Sequence, residues 1–89
     1  MKYIQLLSVA LLLALQPGDS LVLETFIFCG KCVHAESDLD DFKIPYTTES
    51  ATKAAPVYKL YHNKVLIKRH LGYLKPNELR IFLRHGAIA

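Results

Sequence analysis

The chain has 89 residues, which suffices for one small domain, because compact domains usually span about 50 to 250 residues. Its composition is 52% hydrophobic and 21% charged, and this balance excludes an intrinsically disordered chain. The formal net charge is +3, and the basic residues are dispersed rather than clustered as they are in nucleic-acid-binding proteins. We therefore expect one globular domain that binds no nucleic acid.

The N-terminal segment has the order of residues of a secretory signal peptide. A basic residue precedes an apolar run over Tyr3–Leu15, and Gly18 and Ser20 are small residues at the −3 and −1 positions of a cleavage site. The run is shorter than the about 20 apolar residues of a transmembrane helix, so no membrane span is expected. Residues 1–20 are predicted to be a signal peptide and residues 21–89 a secreted or periplasmic domain. The alternative is a cytoplasmic protein that retains the segment as its first helix.

The next segment predicts a β-α-β unit. Leu21–Phe28 is almost continuously apolar and β-favouring, as is typical of a strand buried on both faces. A helix is expected from Gly30 onward, with a buried face formed by Val33, Leu39 and Phe42. A short second strand is predicted at Lys43–Thr47, and the proline within it indicates a position at the edge of the sheet. A helical turn or loop is predicted for residues 48–55.

A β-hairpin is predicted next. Val57–His62 and Lys64–Leu71 are β-rich stretches joined by a tight connection. We expect their core residues to be Tyr58, Leu60, Val65 and Ile67. The second strand also contains three basic residues, Lys64, Lys68 and Arg69. We interpret their charges as protection of a sheet edge against aggregation. The alternative is a binding patch.

A second helix is predicted to end the domain. Pro76 suits its first turn, Gly86 suits its end, and the apolar side consists of Leu79, Phe82 and Leu83. The resulting order is β-α-β, hairpin, helix. The fold class is therefore α/β with a small mixed sheet, since a crossover gives a parallel pair of strands and a hairpin an antiparallel pair.

The two cysteines carry most of the functional signal. Cys29-Gly30-Lys31-Cys32 lies where the first strand leads into the first helix. The unpaired N–H groups and partial positive charge of a helix N-terminus favour a thiolate, and Lys31 adds a cation. Cys29 is therefore the predicted nucleophile. Cys32 lies one turn further on and is predicted to resolve a mixed disulfide.

Two other interpretations of the cysteine pair remain open. The pair could be half of a zinc site, but the sequence has no second pair of ligands at the usual spacing. It could also be a purely structural disulfide, although closing so short a loop adds little to the stability of the fold. We assign no role to the histidines His34, His62, His70 and His85, and we expect no metal and no cofactor.

The order of these features resembles the thioredoxin superfamily: strand, Cys-Gly-X-Cys, helix, strand, proline, hairpin with a late glycine, and terminal helix. The resemblance covers Leu21 to Arg84. It implies that Pro56 is the cis-proline beside the cysteines and that the backbone of Ala55 binds an extended substrate. Gly72 matches the glycine that leads into the last helix of thioredoxins.

The sequence departs from the thioredoxin pattern at several positions. Phe28 replaces the common tryptophan, and Lys31 replaces the proline between the cysteines. The buried acid of thioredoxins has its nearest counterpart in Glu24, one position away from the aligned Leu23. The segment between Cys32 and the proline is short, and the Gly-Gly with which glutaredoxins bind glutathione is absent.

The predicted function is that of a thiol-disulfide oxidoreductase. Its redox-active disulfide would be the Cys29–Cys32 pair, with Gly30, Lys31 and Pro56 in supporting positions and Ala55 and Pro56 contacting substrate. The expected partners are protein thiols or disulfides and a recycling redox partner. The alternative is a non-catalytic thioredoxin-like interaction module with a structural disulfide.

Overall fold

A computed structural model of the protein describes residues 15–84. Within them the chain forms a small α/β domain with the elements β1 (Asp19–Thr25), α1 (Gly30–Asp41), β2 (Thr47–Ser50), β3 (Val57–His62), β4 (Val65–Leu71) and α2 (Pro76–Leu83). The predicted order of elements is confirmed. Most of the predicted signal peptide and the predicted helix end at Gly86 lie outside the described residues.

The sheet is mixed, with the strand order β2-β1-β3-β4. β1 is parallel to β2 and antiparallel to β3, which forms the predicted hairpin with β4. Glu24 near the end of β1 lies opposite Val57 at the start of β3. The end of the sheet from which the chain leaves β1 toward Cys29 is therefore also the end at which Pro56 leads into β3.

The core lies between one face of the sheet and the two helices. Leu21 and Leu23 of β1 and Tyr58 and Leu60 of β3 are fully buried there. The helices and loops contribute Ala35, Leu39, Ile44, Leu74, Leu79 and Leu83. Burial of each large apolar side chain stabilises the fold by about 1.5 to 3 kcal/mol, so these residues fix the helices against the sheet.

β1 ends at Thr25, three residues before the predicted end at Phe28. Thr25 pairs with Ser50, the last residue of β2, and β3 begins opposite Glu24, so no neighbouring strand extends far enough to pair with residues 26–28. The prediction that these residues are buried is therefore wrong. The predicted buried face of α1 also needs correction, because Val33 is exposed and the buried residues are Cys32, Ala35 and Leu39.

β2 lies later in the chain than the predicted Lys43–Thr47 and uses part of the predicted loop. After α1, Lys43 adopts a positive φ of 60° and turns the chain, and Ile44 packs into the core with its N–H bonded to the Leu39 carbonyl. The paired segment begins three residues later, at Thr47. It is fully exposed and polar, so it lacks the hydrophobic pattern by which strands are usually recognised.

The hairpin turns at Asn63 and Lys64, whose φ angles of 49° and 70° correspond to a type I′ turn. Tyr58 and Leu60 are buried as predicted, but Val65 and Ile67 are exposed. For Ile67 the pairing gives the reason, since Tyr58 lies opposite His70 and Leu60 opposite Lys68, whereas Val65 pairs with His62 beside the turn. The inward positions of β4 are thus taken by two polar residues.

Lys68 also differs from its predicted role as an edge-protecting charge. Its Nζ donates hydrogen bonds of 3.0 Å to the carbonyls of Phe82 and Arg84 at the C-terminal end of α2. A cation is favourable there because the last carbonyls of a helix carry partial negative charge. Lys68 therefore connects β4 to α2.

No helix within residues 15–84 has the length and hydrophobicity that crossing a membrane requires.

Candidate redox site

Cys29 and Cys32 form a disulfide at the N-terminus of α1. Cys29 is the N-cap residue, with an extended backbone, and its Sγ accepts a hydrogen bond of 3.1 Å from the N–H of Cys32. Cys29 is partly exposed, whereas Cys32 is only 1% exposed. A substrate sulfur can therefore reach Cys29 from solvent but not Cys32.

In the reduced protein, the surroundings of Cys29 would favour a thiolate over a thiol. The first turn of α1 contains no acidic residue, and it presents the exposed Lys31. Helix N-termini stabilise anions through their free N–H groups and their dipole, and thiolates at such positions are the reactive form of cysteine. Gly30 has open space where a Cβ would lie, so steric crowding does not explain the glycine there.

Pro56 and Ala55 lie at the same end of the sheet as Cys29. The peptide bond between Ala55 and Pro56 is cis, as the thioredoxin resemblance implies. The Pro56 carbonyl accepts a hydrogen bond of 2.8 Å from the N–H of Gly72, whose φ of 107° strains any residue with a Cβ. Pro56 is buried and Ala55 is partly exposed.

A polar cluster that the sequence analysis did not identify connects α1 to the loop after β4. The Tyr73 hydroxyl donates a hydrogen bond to the Asp38 carboxylate. The His34 ring lies 4.8 Å from the Tyr73 ring, and His34 Nε2 is 3.8 Å from Asp38. The hydrogen bond to Asp38 is the main reason that the pKa of Tyr73 is raised to about 12. The i, i+4 spacing of His34 and Asp38 was a visible signal, but their partner Tyr73 was not.

Glu24 is the residue expected to lie nearest to the position of the thioredoxin acid, and its carboxylate forms an ion pair of 2.9 Å with Lys59. Lys59 also lies 3.0 Å from Glu49, and hydrogen bonds to the two carboxylates raise the pKa of Lys59. Side chains alternate along a strand, and Leu23 faces the helices. Glu24 therefore lies on the opposite face from the helix that carries Cys32, and the structure does not bring the two together.

His62 and His70 each lie close to other side chains of the domain. His62 Nδ1 is 2.7 Å from Asp19 Oδ1, and the His70 ring lies 6.4 Å from Tyr58 and 6.3 Å from Phe82. Among residues 15–84, no group of three or more His, Cys, Asp or Glu side chains is placed to hold a metal ion.

Comparison with known proteins gives no assignment, since no family model and no curated protein matches the chain. A function for the Cys29–Cys32 pair must therefore follow from its chemistry and its surroundings.

Proposed function

We propose that the protein is a thiol-disulfide oxidoreductase with a thioredoxin-like fold, which exchanges disulfides with protein substrates. The observation that carries the proposal is a disulfide at a helix N-terminus in which Cys29 is accessible and Cys32 is buried. This asymmetry suits two-step exchange, because one sulfur can meet the substrate while the other is held in reserve one helical turn away.

In the reducing direction, the Cys29 thiolate attacks one sulfur of a substrate disulfide, and the other substrate sulfur leaves as a thiolate. The resulting mixed disulfide joins Cys29 to the substrate. Cys32, as a thiolate, then attacks Cys29 Sγ, which breaks the mixed disulfide and releases the second substrate thiolate. The Cys29–Cys32 disulfide forms, two electrons pass to the substrate, and a recycling dithiol partner must reduce the pair again.

The proposed thioredoxin-like arrangement is supported by the strand order and by the position of Pro56. Along the chain, β1 precedes and β2 follows the helix that starts at the N-cap residue Cys29, and the two strands are parallel. β3 starts beside the end of β1. In this arrangement an extended substrate would lie along Ala55 and Pro56 while its sulfur meets Cys29. Ala55, which is partly exposed, is thus the proposed substrate contact, and the buried Pro56 is proposed to support its backbone. Gly30 and Lys31 are further proposed supporting residues.

The trapping of a mixed disulfide tests the proposal. With Cys32→Ser, a peptide disulfide should become stably linked to Cys29, because nothing remains to resolve the bond. Cys29→Ser should form much less adduct, since Cys32 is buried. Intact-protein mass spectrometry measures the adduct. Equal trapping by the two variants, or no adduct with either, would refute the proposed roles.

A second candidate function is a non-catalytic interaction module, and the burial of Cys32 favours it. In such a module the disulfide would serve only to stabilise the first turn of α1. A redox titration of the whole chain separates the two candidates. Catalytic pairs have potentials of roughly −120 to −270 mV, whereas structural disulfides in secreted proteins lie below about −300 mV. A potential in the lower range, without turnover of a peptide disulfide, would support the module.

We also propose that the protein is exported, on the basis of its N-terminal sequence. Cleavage after Ser20 would remove the first two residues of β1, including Asp19 with its hydrogen bond to His62. The mass of the mature N-terminus, measured on protein from the native host, tests the proposal. An intact N-terminus would support a retained segment and a cytoplasmic protein.

A further inference from the structure

Three consecutive apolar side chains precede the reactive cysteine and face solvent. Phe26, Ile27 and Phe28, which we call the apolar loop, are 42%, 90% and 99% exposed. Val33, four residues after Cys29 and therefore on the same side of the helix, is 65% exposed. Contiguous exposed apolar side chains are uncommon on soluble proteins and mark interaction sites.

The position of the apolar loop indicates what can cover it. Phe28 is the chain neighbour of Cys29, so their Cα atoms are about 3.8 Å apart. An extended polypeptide advances about 3.3 Å per residue, so the two residues on either side of a substrate cysteine extend about 7 Å from the reacting sulfur. Because Cys32 is buried, a substrate must approach Cys29, and residues that flank the substrate cysteine then come within reach of the apolar loop.

The charge of the surface narrows the choice of occupant. From Phe26 to Val33 the only charged residue is Lys31. A basic substrate segment would be repelled by this cation, and a strongly polar one would have to desolvate against phenyl and alkyl groups. The surface fits an apolar segment of neutral or acidic charge.

We propose that the apolar loop and Val33 select substrates in which the cysteine lies in an extended segment between apolar side chains. This inference depends on the proposed oxidoreductase function, and it identifies the substrate class as unfolded or incompletely folded protein. Such chains expose apolar residues beside their cysteines, whereas native proteins bury most of them.

A single-turnover reaction tests the selection without any added oxidant or reductant. The full chain is used with the Cys29–Cys32 disulfide formed, and the substrate is a synthetic dithiol peptide. One peptide thiolate attacks Cys29 Sγ and displaces the Cys32 thiolate, and the second peptide thiolate then attacks the mixed disulfide. The peptide becomes oxidised, the protein pair becomes reduced, and the two thiol protons of the peptide end on Cys29 and Cys32.

Two peptides of equal length and net charge are compared, one with Phe and Leu beside each cysteine and the other with Ser and Gly. The wild-type chain should oxidise the apolar peptide about tenfold faster, which corresponds to about 1.4 kcal/mol. The double substitution Ile27→Ser and Phe28→Ser should bring the ratio of the two rates close to one. The matched control is Val65→Ser, which replaces a 62% exposed residue that pairs with His62 at the other end of the sheet and should keep the wild-type ratio.

The outcomes separate the selection from the proposed function. If the wild type oxidises both peptides at equal rates, or if the double variant keeps the preference, the selection is wrong and the exchange activity remains. If the oxidised chain oxidises neither peptide and the reduced chain reduces neither peptide disulfide, the proposed function fails and the selection with it; if the chain only reduces the disulfides, the same rate ratio is measured in that direction. Binding to neutral phosphatidylcholine vesicles that Ile27→Ser abolishes, together with a rate ratio of one, would assign the surface to a membrane instead. Circular dichroism checks the fold, and the single variant Ile27→Ser replaces the double variant if the latter does not fold.

Discussion

The hydroxyl of Tyr73 donates a hydrogen bond to the carboxylate of Asp38, and this contact joins the loop after β4 to the middle of α1. The preceding residue, Gly72, donates its N–H to the carbonyl of Pro56. One short loop thus contacts both the helix that carries the disulfide and the segment that leads into β3. We infer that it fixes the spacing between Cys29 and the proposed substrate contact.

We expect Tyr73→Phe to lower the free energy of unfolding by about 1 to 2 kcal/mol, because it removes a hydrogen bond to a charged acceptor. Urea denaturation followed by circular dichroism measures the change. Tyr61→Phe is the control, since Tyr61 lies in β3 away from this pair. If Tyr73→Phe is no more destabilising than the control, the hydrogen bond does not hold the loop.

Stability should fall as the pH rises from 10 toward 12. The pKa of Tyr73 is raised to about 12 by its hydrogen bond to Asp38, and that of Tyr46 to about 12 mainly by burial and the nearby Asp40. An unfolded tyrosine has a pKa of about 10, so between these values the folded state binds more protons than the unfolded state. The stabilisation is complete below pH 10 and is lost as the pH rises through the folded pKa.

Urea midpoints at pH 9, 10 and 11 measure this loss, and Tyr73→Phe should make it smaller. An identical decline in the wild type and in Tyr73→Phe would show that Tyr73 does not contribute to it. The raised pKa of Lys59 acts in the same direction at still higher pH, and it is common to both proteins.

In the reduced protein, iodoacetamide should alkylate Cys29 at least about tenfold faster than Cys32 at pH 7, because Cys29 lies at the helix N-terminus and is accessible. Lys31→Glu should slow the alkylation of Cys29 by about two- to fivefold at low salt. The effect should be smaller at high salt, since salt screens exposed charges. Peptide mapping by mass spectrometry measures both rates. Equal rates at the two cysteines would contradict an activated nucleophile.

Lys68→Met should destabilise the fold by about 1 kcal/mol, because it removes the cation from the last carbonyls of α2. Lys64→Met, in the hairpin turn, should leave the free energy of unfolding almost unchanged. If the two lysines only protected the sheet edge, both variants would aggregate with no change in their free energy of unfolding. Urea denaturation and light scattering of the two variants distinguish these results.

The sequence predicted the connectivity of the fold because its signals were local. Cys29 precedes the change from a β-favouring run to helical spacing, and a tight turn separates two β-rich stretches that do form the hairpin. These features placed the cysteine pair at a junction between strand and helix, where the structure has it.

What the sequence did not predict depends on neighbouring elements. The apolar loop has the composition of a strand, but a strand ends where its partners end, and β2 and β3 do not reach it. β2 itself is polar and resembles a loop. Ile67 is as apolar as a buried residue, yet the pairing of β4 with β3 turns Lys68 and His70 inward, and Val65 is exposed beside the hairpin turn. The contact between Tyr73 and Asp38 spans 35 positions of sequence, and no local pattern encodes it.

The hairpin turn at Asn63 and Lys64 lies at the opposite end of the sheet from Cys29, because β3 runs antiparallel to β1. Six strand residues separate Pro56 from this turn, a distance of about 20 Å. A fluorescent dye or a surface tether coupled to the exposed Lys64 would leave the cysteine end of the domain open to solution. The hairpin turn is therefore an attachment point that does not compete with the cysteine pair for space.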